Sequence, residues 1–225
     1  MEEIDGVPTL GRFRETVDKT CMRERDRLLI KTFYLTACRG SELTTHQNPY
    51  DLKEKKVRLA YGKYATFKMA TFDHEEEKVR HKVLLLRLAV AKRKLKTKKT
   101  KTEQQRLKLV FKTIALPTDP RYEPWTKDLM AYILKRGTLN FDLSRSRIRQ
   151  IVIENLRELD RDITTKSLRH YRLSHLAEDY HMTRENLMLV AGWTWQGAFG
   201  GQGGQLDTYV HLTWQSYFKK LLRPL

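Results

Sequence analysis

Apolar residues recur along this chain with helical spacing in some stretches and with strand spacing in others. Between Cys21 and Cys38, residues Leu29, Ile30, Phe33, Tyr34 and Ala37 share one helical face. Gly40 breaks that pattern, and Ser41 is placed to cap a short helix from Glu42. Asn48-Pro49 marks a turn. Val57, Leu59 and Tyr61 then alternate as a strand should, and Ala65, Phe67 and Met69 read as its neighbour. Val83-Leu84-Leu85-Leu86 is an apolar run, answered by partial alternation at Leu107, Leu109, Phe111 and Ile114 that ends at Pro117. A turn-rich stretch leads to Pro124. The second half is helical. One helix runs from Trp125 to Lys135 and stops at Gly137. The next is capped by Ser144 and carries the stripe Ile148, Ile151, Val152, Leu156 and Leu159. Further helices are expected over 167–179 and 184–190. After a glycine-rich loop at 197–204, a terminal helix presents Val210, Trp214, Tyr217, Phe218 and Leu221. Residues 1–20 show no clear period. The pattern predicts an α+β fold, mostly helical with a small antiparallel β-sheet or hairpin, as one domain over residues 1–225.

Composition adds a charge. The 225 residues carry 44 Lys and Arg against 27 Asp and Glu, a net charge of +17. Thirteen of those charges lie between Lys78 and Lys112, where fourteen cations face the single acid Glu103. The densest part includes Lys92, Arg93, Lys94, Lys96, Lys98, Lys99 and Lys101. With apolar strands on both sides, this run reads as a long hairpin with a basic tip. Such a ribbon suits double-stranded DNA, whose condensed counterions are released as phosphates are neutralised. No apolar run reaches the roughly 18 residues that span a bilayer. The acidic start Met1-Glu2-Glu3 is unlike a secretory signal. Two cysteines cannot build a disulfide framework. The expected compartment is therefore the cytoplasm, with no membrane partner.

Several chemistries lack their residues. There is no Gly-x-x-x-x-Gly-Lys-Ser/Thr phosphate loop and no dinucleotide fingerprint after a strand. The histidines show no metal-ligand spacing, since His170 and His175 point to different helix faces, and no metal or cofactor is expected. Three separated pieces stand out instead. They are Leu35-Thr36-Ala37-Cys38-Arg39-Gly40-Ser41-Glu42-Leu43, Lys166-Ser167-Leu168-Arg169-His170-Tyr171, and Leu206-Asp207-Thr208-Tyr209-Val210.

In this order the pieces resemble the tyrosine recombinase (phage integrase) family. The first is similar to that family's Thr-Gly-Leu-Arg-x-Ser-Glu-Leu box, with Arg39 as a catalytic Arg and Glu42 as its supporting acid. The second is similar to the His-x-Leu-Arg-His box, with Arg169 as the second Arg. Lys166 replaces the usual His, a form found in archaeal virus and plasmid integrases. Leu189-Val190-Ala191-Gly192-Trp193 is similar to the Leu-Leu-Gly-His segment, with Trp193 at the His or Trp position. Tyr209 falls at the nucleophile. The family's catalytic Lys sits on a β-hairpin; Lys101 is favoured here, with Lys99 as the alternative. The family's N-terminal core-binding domain has no counterpart before the first box, which implies weaker DNA affinity and site selectivity.

The resemblance implies a site-specific recombinase that integrates DNA without ATP or metal. Tyr209 would attack phosphorus, form a covalent 3′-phosphotyrosyl intermediate and release a 5′-hydroxyl. Ionising a phenol of pKa near 10 at pH 7 costs about 4 kcal/mol, which nearby Arg charge lowers. Arg39 and Arg169 would hold the charged non-bridging oxygens, each worth about 3 kcal/mol. A hairpin Lys would protonate the leaving oxygen. The family acts as a tetramer on DNA, and the apolar stripe of the terminal helix is a candidate docking surface. Strand relaxation of the type IB topoisomerase kind, or a catalytically inactive basic DNA-binding module, are the alternatives.

Overall fold

The computed structural model describes residues 6–44, 65–90, 110–139, 141–193 and 213–224. The elements in chain order are α1 (Leu10–Thr20), α2 (Glu24–Thr36), β1 (Thr66–His74), β2 (Val79–Val90), β3 (Val110–Pro117), α3 (Pro124–Arg136), α4 (Arg145–Leu156), α5 (Thr165–Glu178), α6 (Arg184–Ala191) and α7 (Gln215–Phe218), followed by a 3₁₀ turn at Lys219–Leu221. The mixed, mainly helical architecture with one small antiparallel sheet agrees with the expected class.

The sheet has the order β1-β2-β3, antiparallel throughout. β2 runs from Arg87 opposite Thr66 to Val79 opposite His74, and pairs with β3 from Val83↔Pro117 to Val90↔Val110. Its unalternated run Val83–Leu86 is buried on every residue, as a central strand covered on both faces must be. The strands flanking the basic run therefore do pair as a hairpin. The run itself, with Leu107 and Leu109, lies outside the described residues, as do Asn48-Pro49, the expected strand at Val57–Tyr61 and the glycine-rich loop.

Helix ends follow local chemistry. Ser144 accepts from the Arg147 N–H at the start of α4. Thr164 and Ser167 exchange side-chain and backbone hydrogen bonds at the start of α5, a capping box. Two expectations need correction. Residues 42–44 are turn rather than helix, because the Glu42 N–H bonds back to the Arg39 carbonyl and its side chain turns inward. Residues 10–20 form α1, whose apolar Leu10, Phe13 and Val17 stand at i, i+3 and i+7 on the face that meets the core, a short stripe diluted by eight polar or small residues.

The core is aromatic around α1, α2 and α5. Phe13 meets Tyr34, Trp125 and Tyr171 at ring distances of 4.7, 5.8 and 5.8 Å. The polar network beneath it positions α5. Glu123 accepts from Arg14 at 2.9 Å and from Arg172 at 3.5 Å, with Arg172 and Glu123 both 2% exposed. His175 Nε2 lies 2.7 Å from the Pro8 carbonyl, which can only accept, so that nitrogen carries the proton. His175 Nδ1 then accepts from the Tyr34 hydroxyl at 2.8 Å. Burial holds the His175 pKa below its usual value, so the ring is neutral in the fold.

Most of the described part of the terminal stripe is already covered, Trp214 being partly buried. Tyr217, Phe218 and Leu221 are buried against their own chain. The Tyr217 hydroxyl accepts from the Ala115 N–H at 2.8 Å and donates to the Thr113 carbonyl at 3.4 Å, which seals the free edge of β3. The face formed by these three residues is thus not open to a neighbouring subunit. No helix among the described residues is long and apolar enough to cross a membrane.

Two outcomes are expected. Glu123→Gln leaves Arg172 buried beside a neutral amide and lowers stability by about 3 kcal/mol or more, measured by urea unfolding. Stability also falls as pH drops below about 6.5, where the unfolded chain binds a proton that the folded His175 refuses; His175→Gln flattens that slope.

Candidate active site

The C-terminal end of α2, the N-terminal end of α5 and the C-terminal end of α6 meet at one place. α2 ends because Ala37 adopts a left-handed conformation (φ 46°), which turns the chain toward Arg39. Gly40 then lies against α5. A Cβ at Gly40 would stand 2.9 Å from Thr165 Oγ1, so only glycine lets the Arg39 corner approach this closely. Two pieces separated by about 130 residues in sequence are thereby placed side by side.

Arg39 is 43% exposed at its side chain, and its Nη1 donates to Glu42 Oε1 at 3.1 Å. Its backbone N–H donates to Glu42 Oε2, also at 3.1 Å. Glu42 is fully buried, as befits an acid that orients a neighbour rather than meeting solvent.

Arg169 projects from α5 toward the same corner. Its Nη1 donates to the Ala37 carbonyl at 2.7 Å and its Nη2 to the Ala191 carbonyl at 2.8 Å. These are the exposed carbonyl ends of α2 and α6, where a cation offsets the helix dipoles. Burial lowers the Arg169 pKa, and the positive charge of Arg39 lowers it further, against the opposing pull of Glu42 and Cys38. The two guanidiniums are near enough to repel each other. Such a pair in a partly buried setting is relieved by an anion.

Trp193 is 46% exposed, and its ring lies 5.5 Å from the Arg169 guanidinium carbon. It is a platform beside the Arg rather than a core residue. Lys166 is exposed at the second position of α5. A cation there opposes the positive end of the helix dipole, so it raises the local positive potential at some cost to the helix.

Sequence reasoning missed Lys112, which it counted only as the last cation of the basic run. Its side chain is 3% exposed. Nζ donates to the carbonyls of Thr36 at 2.9 Å, Ala37 at 3.3 Å and Val190 at 3.3 Å, and lies 3.4 Å from Glu42 Oε2. Parity along β3 held the signal, because Lys112, Ile114 and Leu116 share one strand face and all are buried. Cys38, also buried here, has its thiol pKa pushed up to about 11 by burial, with Lys112 partly opposing the shift, so it is not a ready nucleophile.

A cavity of about 400 Å³ opens beside Trp193 and is lined among others by Val90, Phe111, Lys112, Gly192 and Thr213. Val90 and Phe111 stand at the roots of the basic run, and Thr213 follows Tyr209 by four residues. Tyr209, Lys101 and the cations Lys92, Arg93, Lys94, Lys96, Lys98 and Lys99 lie outside the described residues. Among the described residues, no group of three His, Cys, Asp or Glu could hold a metal ion.

Gly192 has φ 67°, and a Cβ there would come 3.1 Å from Lys112 Cδ. Gly192→Ala is therefore expected to lower unfolding free energy by about 1–2 kcal/mol in urea, through left-handed strain and displacement of the Lys112 stem. An unchanged midpoint would show that this packing is not maintained.

Comparison of the chain with protein-family models, with curated proteins and with solved structures gave no match.

Proposed function

We propose that this protein cuts and rejoins DNA as a tyrosine recombinase of the kind encoded by archaeal viruses and plasmids, integrating DNA through a covalent 3′-phosphotyrosyl intermediate. The observation that carries the reading is the convergence of Arg39 and Arg169 from two distant boxes onto Ala37 and its surroundings. The exposed fork of Arg39, the charge and remaining N–H donors of buried Arg169, whose Nη1 and Nη2 each already bind a carbonyl, and Lys166 at the adjoining helix start suit the non-bridging oxygens of one phosphodiester.

Three further observations support it. Ala37 occupies the glycine position of the first box and has the positive φ for which glycine is the usual choice. Trp193 shields one side of Arg169, which strengthens its interaction with an anion by excluding water. Thr213, the first described residue after the segment that holds Tyr209, lines the same cavity as Trp193.

In this reading Tyr209 attacks phosphorus while Arg39 and Arg169 hold the developing charge. The basic ribbon, rooted beside the site at Val90 and Phe111, lies along the duplex and supplies the Lys that protonates the 5′-oxygen. Lys101 or Lys99 takes that role. Lys166 acts as a charge on the phosphate, because an ammonium has no lone pair to accept a proton. Assembly of four subunits on DNA would use surfaces other than Tyr217, Phe218 and Leu221.

A nicked suicide duplex tests the proposal. The wild type is expected to form a protein–DNA adduct that survives denaturant. Tyr209→Phe forms none, and Arg169→Lys slows formation by about 10²-fold or more. Supercoil relaxation without recombinant products would favour a topoisomerase. Salt-sensitive binding with no adduct from any substrate would reduce the protein to a DNA-binding module.

A further inference from the structure

We infer that Lys112 is a positioning residue for the proposed phosphate site, acting through Glu42 to leave the charge of Arg39 available to an external anion. The inference rests on the proposed function for the identity of that anion, and on the geometry around Glu42 for everything else.

Four oxygens surround the Lys112 ammonium: the carbonyls of Thr36, Ala37 and Val190, and Glu42 Oε2. An ammonium has three protons, so none remains for a substrate. Its side chain is 3% exposed, which also keeps it from touching DNA. Lys112 is therefore distinct from the hairpin Lys expected to act as an acid.

Its effect follows from where the negative charge sits. Glu42 is fully buried and needs a counter-charge. Among the described residues its cationic partners are Arg39 and Lys112. With Lys112 present, the cluster of Arg39, Arg169, Lys112 and Glu42 holds three cations and one acid. Remove Lys112, and among the described residues Arg39 becomes the one cation in ion-pair contact with the buried carboxylate, with Arg169 acting on it only from farther off. An incoming phosphate would then compete with Glu42 for the same guanidinium. The strand that carries Lys112 also follows the basic run directly in sequence.

The test compares wild type, Lys112→Met and the double variant Lys112→Met/Glu42→Gln, each labelled with ¹⁵N-arginine. The Nε–Hε resonances of Arg39 and Arg169 are followed during titration with inorganic sulfate. Lys112→Met is expected to weaken sulfate binding about tenfold, and the double variant to return to within about threefold of wild type, since it removes the competing acid together with its partner. In ligand-free protein, rotation about the Arg39 Cζ–Nε bond should slow in Lys112→Met and recover in the double variant. If Lys112→Met does not fold, the double variant alone decides by the same two readouts. Wild-type affinity and rotation in Lys112→Met would overturn the inference, as would a folded double variant that binds as weakly as the single. If sulfate moves neither arginine in the wild type, the proposed function falls, while the ligand-free rotation rates still decide the role of Lys112.

Discussion

Two helices, α2 and α6, end with their carbonyls pointing into the same small volume, and two cations satisfy those ends. Arg169 takes the carbonyls of Ala37 and Ala191, and Lys112 those of Thr36, Ala37 and Val190. Unsatisfied carbonyls buried at this junction would each cost on the order of 1–3 kcal/mol. The junction therefore depends on charge brought from two other elements, α5 and β3. The features on which the proposed phosphate site rests are built on it: the turn at Ala37, the exposure of Arg39, the burial of Glu42 and the platform at Trp193.

Structural and chemical demands overlap here. A cation at a helix C-terminus is favourable, so Arg169 is held by the groups that stabilise the fold. Arg39 differs, being about half exposed and oriented by Glu42 alone among the described residues. The pair thus joins a guanidinium held by two carbonyls to one open to solvent, whose charge acts on the first. That division would suit the proposed function, in which the site is formed before a phosphate enters from one side. The network beneath it, Glu123 with Arg14 and Arg172 and His175 with Tyr34 and Pro8, keeps α5 in place without contributing to the charge of the site.

The amino-acid pattern by itself determined helices α3 to α6, the pairing of the strands on either side of the basic run and the α+β class, whereas the terminal helix is described only over Gln215–Phe218. Those elements bury stripes long enough to show a period, and their ends carry local signals such as Ser144 and Gly137. Helix α1 escaped because its stripe is only three residues, Leu10, Phe13 and Val17, among polar and charged neighbours. The polar boxes around Arg39 and Arg169 were legible as short motifs. Their meeting was not, because nothing local records that Gly40 will rest on Thr165. Strand parity put Lys112 on the face of Ile114 and Leu116, but tertiary structure alone decided that its partner there is the buried Glu42, and that Trp193 stays half exposed over Arg169. It also decided that Tyr217 spends its hydroxyl on the edge of β3. The physical reason is the same in each case: periodicity reports which side of an element is buried, whereas the partner of a buried charge or hydroxyl is set by packing between elements distant in sequence.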